Sequence, residues 1–125
     1  MKTIHSFILM LILSSCSNHR PVSIEKERIQ TDTLIDNATS VKFILDKDRI
    51  YITAIDSTGK MLWQTDPAVD NKLQEYRVKR PIINYFVFDT VTADNNNQVI
   101  SISYNNSQFG YLSKLNGKFH FVGQD

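Results

Sequence analysis

A chain of 125 residues carrying 14 Lys+Arg against 13 Asp+Glu, with a net charge of +1 and one cysteine, has the length of one domain and no charge bias. The clustered cationic charge on which nucleic-acid binding relies is missing, and a lone cysteine excludes an intramolecular disulfide framework. With only four glycines there is no Gly-rich loop to cradle a phosphate.

In chain order, Lys2 supplies a short positive region and Ile4, Phe7, Ile8, Leu9, Met10, Leu11, Ile12 and Leu13 an apolar run. That run has the form of a signal-peptide core and is too short for a permanent membrane helix, which needs about 20 residues. It ends in Leu13-Ser14-Ser15-Cys16, one aliphatic and two small residues ahead of the cysteine. The arrangement resembles the lipobox of bacterial lipoproteins. The resemblance implies that residues 1–15 are a removed signal peptide and that Cys16, thioether-linked to diacylglycerol, becomes the new N-terminus. With Ser17 rather than an aspartate next, it also implies a cell-envelope protein anchored in the outer membrane, facing the periplasm or the cell surface. The residue types suit the chemistry: a thiol is the nucleophile for lipid transfer, and small neighbours let a peptidase reach the backbone. In the other reading of the stretch, Cys16 is incidental to an ordinary signal peptide or a buried N-terminal helix.

Residues 16–39 read as lipid anchor and flexible tether, and residues 40–125 as a β domain. The tether holds few large apolar side chains, with Asn18, His19, Arg20, Pro21, Glu25, Lys26, Glu27 and Arg28 near its start, and cannot bury enough surface to offset its ordering entropy. Further on, Ile29, Thr31, Thr33 and Ile35 alternate with Gln30 and Asp32, a pattern compatible with one short strand.

From Val41 a period of two takes over. Val41, Phe43 and Leu45, then Ile50, Ile52 and Ala54, form a hairpin around the polar turn Asp46-Lys47-Asp48. Asp56-Ser57-Thr58-Gly59 turns the chain into Lys60–Thr65, a third strand. Asp66-Pro67 reads as an N-cap with proline at the first helical position, and Val69, Leu73 and Tyr76 fall at helical spacing, so a short helix or helical loop covers one sheet face. Ile82, Ile83, Tyr85, Phe86, Val87 and Phe88 are apolar on both alternating sets, as in a central strand covered on both sides. After a polar loop, Ile100, Ile102 and Tyr104 share one face of a strand, and Asn116-Gly117 joins a final hairpin of Phe109–Lys114 and Lys118–Val122.

Sliding the chain by 58 residues places Val41 on Val99, Ile44 on Ile102, Gly59 on Gly117, Lys60 on Lys118 and Trp63 on Phe121. The expected fold is therefore mainly β: an antiparallel meander sheet or small sandwich of two similar three-stranded units joined by Pro81–Val91, with one short helix or helical loop. The stretch Asp56-Ser57-Thr58-Gly59-Lys60-Met61-Leu62-Trp63 also resembles the Asp-x-x-Thr-Gly-Lys-x-Leu-Trp hairpin of quinoprotein-type β-propeller repeats, with one residue fewer between Asp56 and Thr58. That resemblance implies that Trp63 packs between neighbouring sheets and that Gly59 closes the turn. Two units fall short of the four blades a propeller requires, so no quinone chemistry follows.

The chemistry-bearing residues are sparse. With the signal peptide gone, His19 and His120 are the only histidines, and no His-Glu-x-x-His, cysteine pair or Gly-x-Ser-x-Gly elbow occurs. Asp46 and Asp48 flank a turn, and Asp89 with Asp94–Asn97 lacks the glycine and glutamate of a calcium loop. No enzyme activity, metal or cofactor is expected. The aromatics carry more information, since a small sheet cannot hide all of them. Trp63, Tyr51, Tyr104, Phe109 and Tyr111 are the candidate binding residues, for an envelope protein partner or for a glycan. Lys72, Arg77, Lys79 and Arg80 cluster before Pro81, as a solvated rim or a contact for an acidic partner or lipid head groups.

Overall fold

A computed structural model describes residues 32–91 and 97–125 of the chain. The lipobox, Cys16 and most of the tether lie outside the described residues.

The three turns of the first half share one device. Asp36, Asp46 and Asp56 each open a turn and spend a carboxylate oxygen on its backbone amides. Asp36 accepts from Ala38 N–H at 2.9 Å, Asp46 from Ile50 at 2.8 Å and Tyr51 at 3.1 Å, and Asp56 from Thr58 at 2.9 Å and Lys60 at 3.0 Å. Ser40, Arg49 and Gly59 supply the left-handed residues that complete the turns, Gly59 with φ +88°.

These turns fold four strands into one antiparallel meander: β1 (Thr33–Ile35), β2 (Lys42–Leu45), β3 (Ile52–Ile55) and β4 (Met61–Thr65). Asp66 caps helix α1 (Pro67–Asp70) by accepting from Val69 N–H at 3.3 Å, with Pro67 in the first turn. The helix stops at Asp70, so Leu73 and Tyr76 lie on the irregular chain beyond it and not on one helical face. A second meander follows: β5 (Ile83–Val91), β6 (Asn97–Tyr104), β7 (Gln108–Leu112) and β8 (Phe119–Gln124).

The mainly β, antiparallel expectation holds, with four strands per unit instead of three. The extra strands are β1, which lies in the segment read as tether and pairs with β2, and β5, which opens the second sheet instead of joining two units. β5 is also an edge strand, not a central one: among the described residues its one ladder partner is β6, and Tyr85 on its outer face is 51% exposed.

The inner faces of the two sheets bury one core. Phe43, Leu45, Ile52 and Ala54 from the first pack with Ile83, Phe86, Ile100, Ile102, Tyr104, Leu112 and Phe119 from the second. The repeat is real at the level of strands and shifted at the level of side chains. Phe43 sits opposite Ala54 as Ile100 sits opposite Leu112, so Phe43 corresponds to Ile100, one residue off the gapless alignment. Trp63, opposite Ala54, likewise corresponds to Phe119, opposite Leu112, and not to Phe121. Unequal turn lengths and bulges cause the slips, one residue for Phe43 and two for Trp63, and only the one-residue slip reverses which face a side chain takes.

Candidate binding face on the second sheet

The outer side of the second sheet is built by register. Two rows cross it: Tyr85, Ser103, Phe109 and Gly123, then Val87, Ser101, Tyr111 and His120. Ser101 and Ser103 alternate on β6 with the buried Ile100 and Ile102, so period two alone assigns them to the outer face. Their small side chains leave a strip between the aromatic residues of β5 and β7. Tyr85 and Phe109 flank that strip from two strand spacings apart, roughly 10 Å.

Neighbouring groups fix the rings. Tyr111 stacks on His120 with centroids 4.8 Å apart and an interplanar angle of 20°. Phe109 lies along Gly123, where a Cβ would stand 3.3 Å from the ring. Ser101 Oγ donates to Asp89 Oδ2 at 3.1 Å, placing a carboxylate and a hydroxyl beside the aromatics. The face thus offers ring surface, hydroxyls and one anion to a ligand that lies flat.

Of the five aromatic candidates, the structure brings two to this face, Phe109 and Tyr111. Tyr51 is exposed but sits at the β2–β3 turn of the other sheet. Tyr104 is corrected outright: it is 2% exposed and part of the core. Burial, then the nearby Asp66 and Asp70 carboxylates, push its hydroxyl well above the usual tyrosine range, and its oxygen has no hydrogen-bond partner among the described residues. Trp63 is likewise no surface residue. Its ring lies 5.8 Å from Phe43 and against Gly117. Tyr85 was missed because apolar residues on both sides of β5 read as burial on both faces. The alternation of Ser101 and Ser103 was the signal that one face of this sheet meets water.

The clefts are less suited to a ligand. One of about 530 Å³ lies beneath α1 and the chain to Pro81, lined by Lys72, Lys79 and Arg80 among others. Several of its polar groups are spent internally: Arg80 pairs with Asp66 at 3.5 Å, Asn106 donates to Tyr76 O at 3.0 Å, and Gln108 donates to Gln74 O at 3.0 Å. Another, about 560 Å³, opens at the seam of the sheets beside Lys114. There Lys114 Nζ donates to Asp36 Oδ2 and to Gln98 Oε1, both at 2.6 Å, and the hydrogen bond from Lys114 holds the Asp36 carboxyl below the usual carboxylate range. Among the described residues no group of three or more metal-ligating side chains converges, and no helix is long and apolar enough to cross a membrane.

The position of Trp63 between the sheets and of Gly59 at a turn are features of this chain's own packing and assign no family. Compared with protein-family models, with curated proteins and with solved structures, the chain matches none.

Proposed function

We propose that the chain is a lipid-anchored, non-enzymatic protein-interaction module of the cell envelope, held in the membrane through Cys16 and presenting the outer face of its second sheet to an envelope protein. The observation that carries this reading is the gathering of Tyr85, Phe109 and Tyr111 on one solvent-facing side, with Tyr85 51% and Phe109 36% exposed. Aromatics of this kind supply large contact area at little entropic cost and dominate binding energy at protein interfaces. The Leu13-Ser14-Ser15-Cys16 sequence supports the anchor.

Two measurements test the reading. Mass spectrometry of the mature N-terminus is expected to find acylated Cys16; an unmodified Cys16 behind a retained Met1 refutes the anchor. A pull-down from detergent-solubilised envelope is expected to capture a partner that Tyr85→Ala/Phe109→Ala loses; capture unchanged by the double variant refutes the face.

A second reading, glycan binding, is favoured by the flat Tyr111–His120 stack beside the Ser101–Asp89 pair, since sugars combine ring stacking with hydroxyl contacts. Amide shifts around Ser101, Ser103 and Tyr111 on titration with envelope glycans are its expected sign. Trp63 is no reporter for this face, being wedged between the sheets.

A further inference from the structure

The sequence of β5 is that of a strand with neighbours on every side, yet its ladder has one side only. From Asn84 to Val91 its outward edge has no backbone partner among the described residues, and the Thr90 N–H is met merely by its own neighbour, Asp89 Oδ1, at 2.7 Å. Sheet edges are ordinarily blunted by shortness, bulges, proline or lysine. The other three edges follow that rule: β1 has three residues, and the ladders of β4 and β8 are interrupted by bulges. In β5 the irregularity falls at its start, between Ile83 and Tyr85, and from Tyr85 to Val91 the register is unbroken, with no proline or lysine.

We propose that β5 pairs with β5 of a second copy of this chain, antiparallel about a two-fold axis at Phe88, to make one eight-stranded sheet across the dimer. The segment's own sequence selects a copy of itself. In that register Tyr85 faces Val91, Phe86 faces Thr90, and Val87 faces Asp89. The single charge of the segment therefore meets an apolar residue and never its own equivalent. Asp89 is already held by Ser101 Oγ at 3.1 Å and by the Thr90 N–H. Pairing uses the edge and leaves the outer face open, so it does not depend on the partner-binding reading.

The test is sedimentation of the full chain in non-ionic detergent, with two variants at one outward position. Val87→Asp sets two like charges against Asp89 across the axis, and dimer affinity is expected to fall about tenfold, the sum of two unfavourable cross-strand pairs. Val87→Lys sets a cation against Asp89 at the same two places and is expected to keep the dimer. Far-UV circular dichroism confirms that both fold. A monomeric wild-type chain, a dimer that survives Val87→Asp, or equal loss in both variants overturns the proposal.

Discussion

The indole N–H of Trp63 donates to the Lys114 carbonyl oxygen at 3.1 Å, joining the last strand of the first sheet to the final hairpin of the second. The ring covers Gly117, whose φ is +71° and where a Cβ would stand 2.5 Å from Trp63 Cε3. Trp63→Ala is expected to cost about 3–5 kcal/mol, as for other buried aromatics. Trp63→Phe, which keeps most of the packing and drops the hydrogen bond, is expected to cost about 1 kcal/mol plus the lost ring area. Urea unfolding of the two variants measures both. Because the side chain is half-buried, wild-type Trp63 fluorescence is expected to be only partly quenched by acrylamide in the folded state and more strongly once the fold melts.

Tyr104 gives the opposite sign. Its hydroxyl is buried without a partner, so Tyr104→Phe removes a desolvated polar atom while keeping the ring. The variant is expected to be as stable as the wild type or up to about 1 kcal/mol more stable in urea unfolding. Alkaline pH adds a second check. The buried hydroxyl holds its proton above the ordinary tyrosine value of 10.0, so the unfolded chain ionises first and stability falls as pH rises past that value. Tyr104→Phe is expected to remove that part of the alkaline loss.

The Lys114–Asp36 pair predicts an acid dependence. The carboxyl is depressed below the ordinary aspartate value of 3.8 in the folded state, chiefly by the hydrogen bond from Lys114. Its contribution is therefore complete above pH 3.8 and is lost as pH falls below it through the folded value. Asp36→Asn is expected to flatten this share of the acid limb at a cost of about 1–2 kcal/mol at neutral pH, within the usual range for a partly buried charged hydrogen bond. Thermal melts of the two proteins across the acid range read the difference.

Gly110 predicts a steric failure. A Cβ there would lie 2.1 Å from the His120 carbonyl oxygen and 2.8 Å from the Phe119 ring, and the first of these is backbone. Gly110→Ala is expected to destabilise by about 1–3 kcal/mol, the usual range for an overpacked core, and to disturb the Tyr111–His120 stack next to it. Melting temperature and the His120 ring resonances report the two effects.

The local physics of this chain was legible from its residues. Asp46 and Asp56 mark turns because each carboxylate has amides within reach along the chain, and Asp66-Pro67 starts a helix for the same reason, while the same device at Asp36 fell in the segment read as tether. What escaped was long-range. Whether β5 lies at a centre or an edge depends on which strands come to rest beside it, and among the described residues β6 alone lies beside it although its apolar residues on both sides read as a covered strand. Trp63 and Tyr104 were misplaced because exposure of an aromatic is decided by the facing sheet. The alignment of the two halves failed by one residue at Phe43 and by two at Trp63 because it took no account of the turns and bulges between strands.

Every strand in both sheets pairs only with the strand before or after it in sequence. No contact within either sheet waits for a distant segment to arrive, so loop-closure entropy is kept low and each hairpin can template the next. A chain delivered from its N-terminal end completes one four-stranded ribbon before the other begins. Contacts between the ribbons close far longer loops than those within them, and Trp63 is such a contact, since its indole reaches the Lys114 carbonyl only with the final hairpin in place.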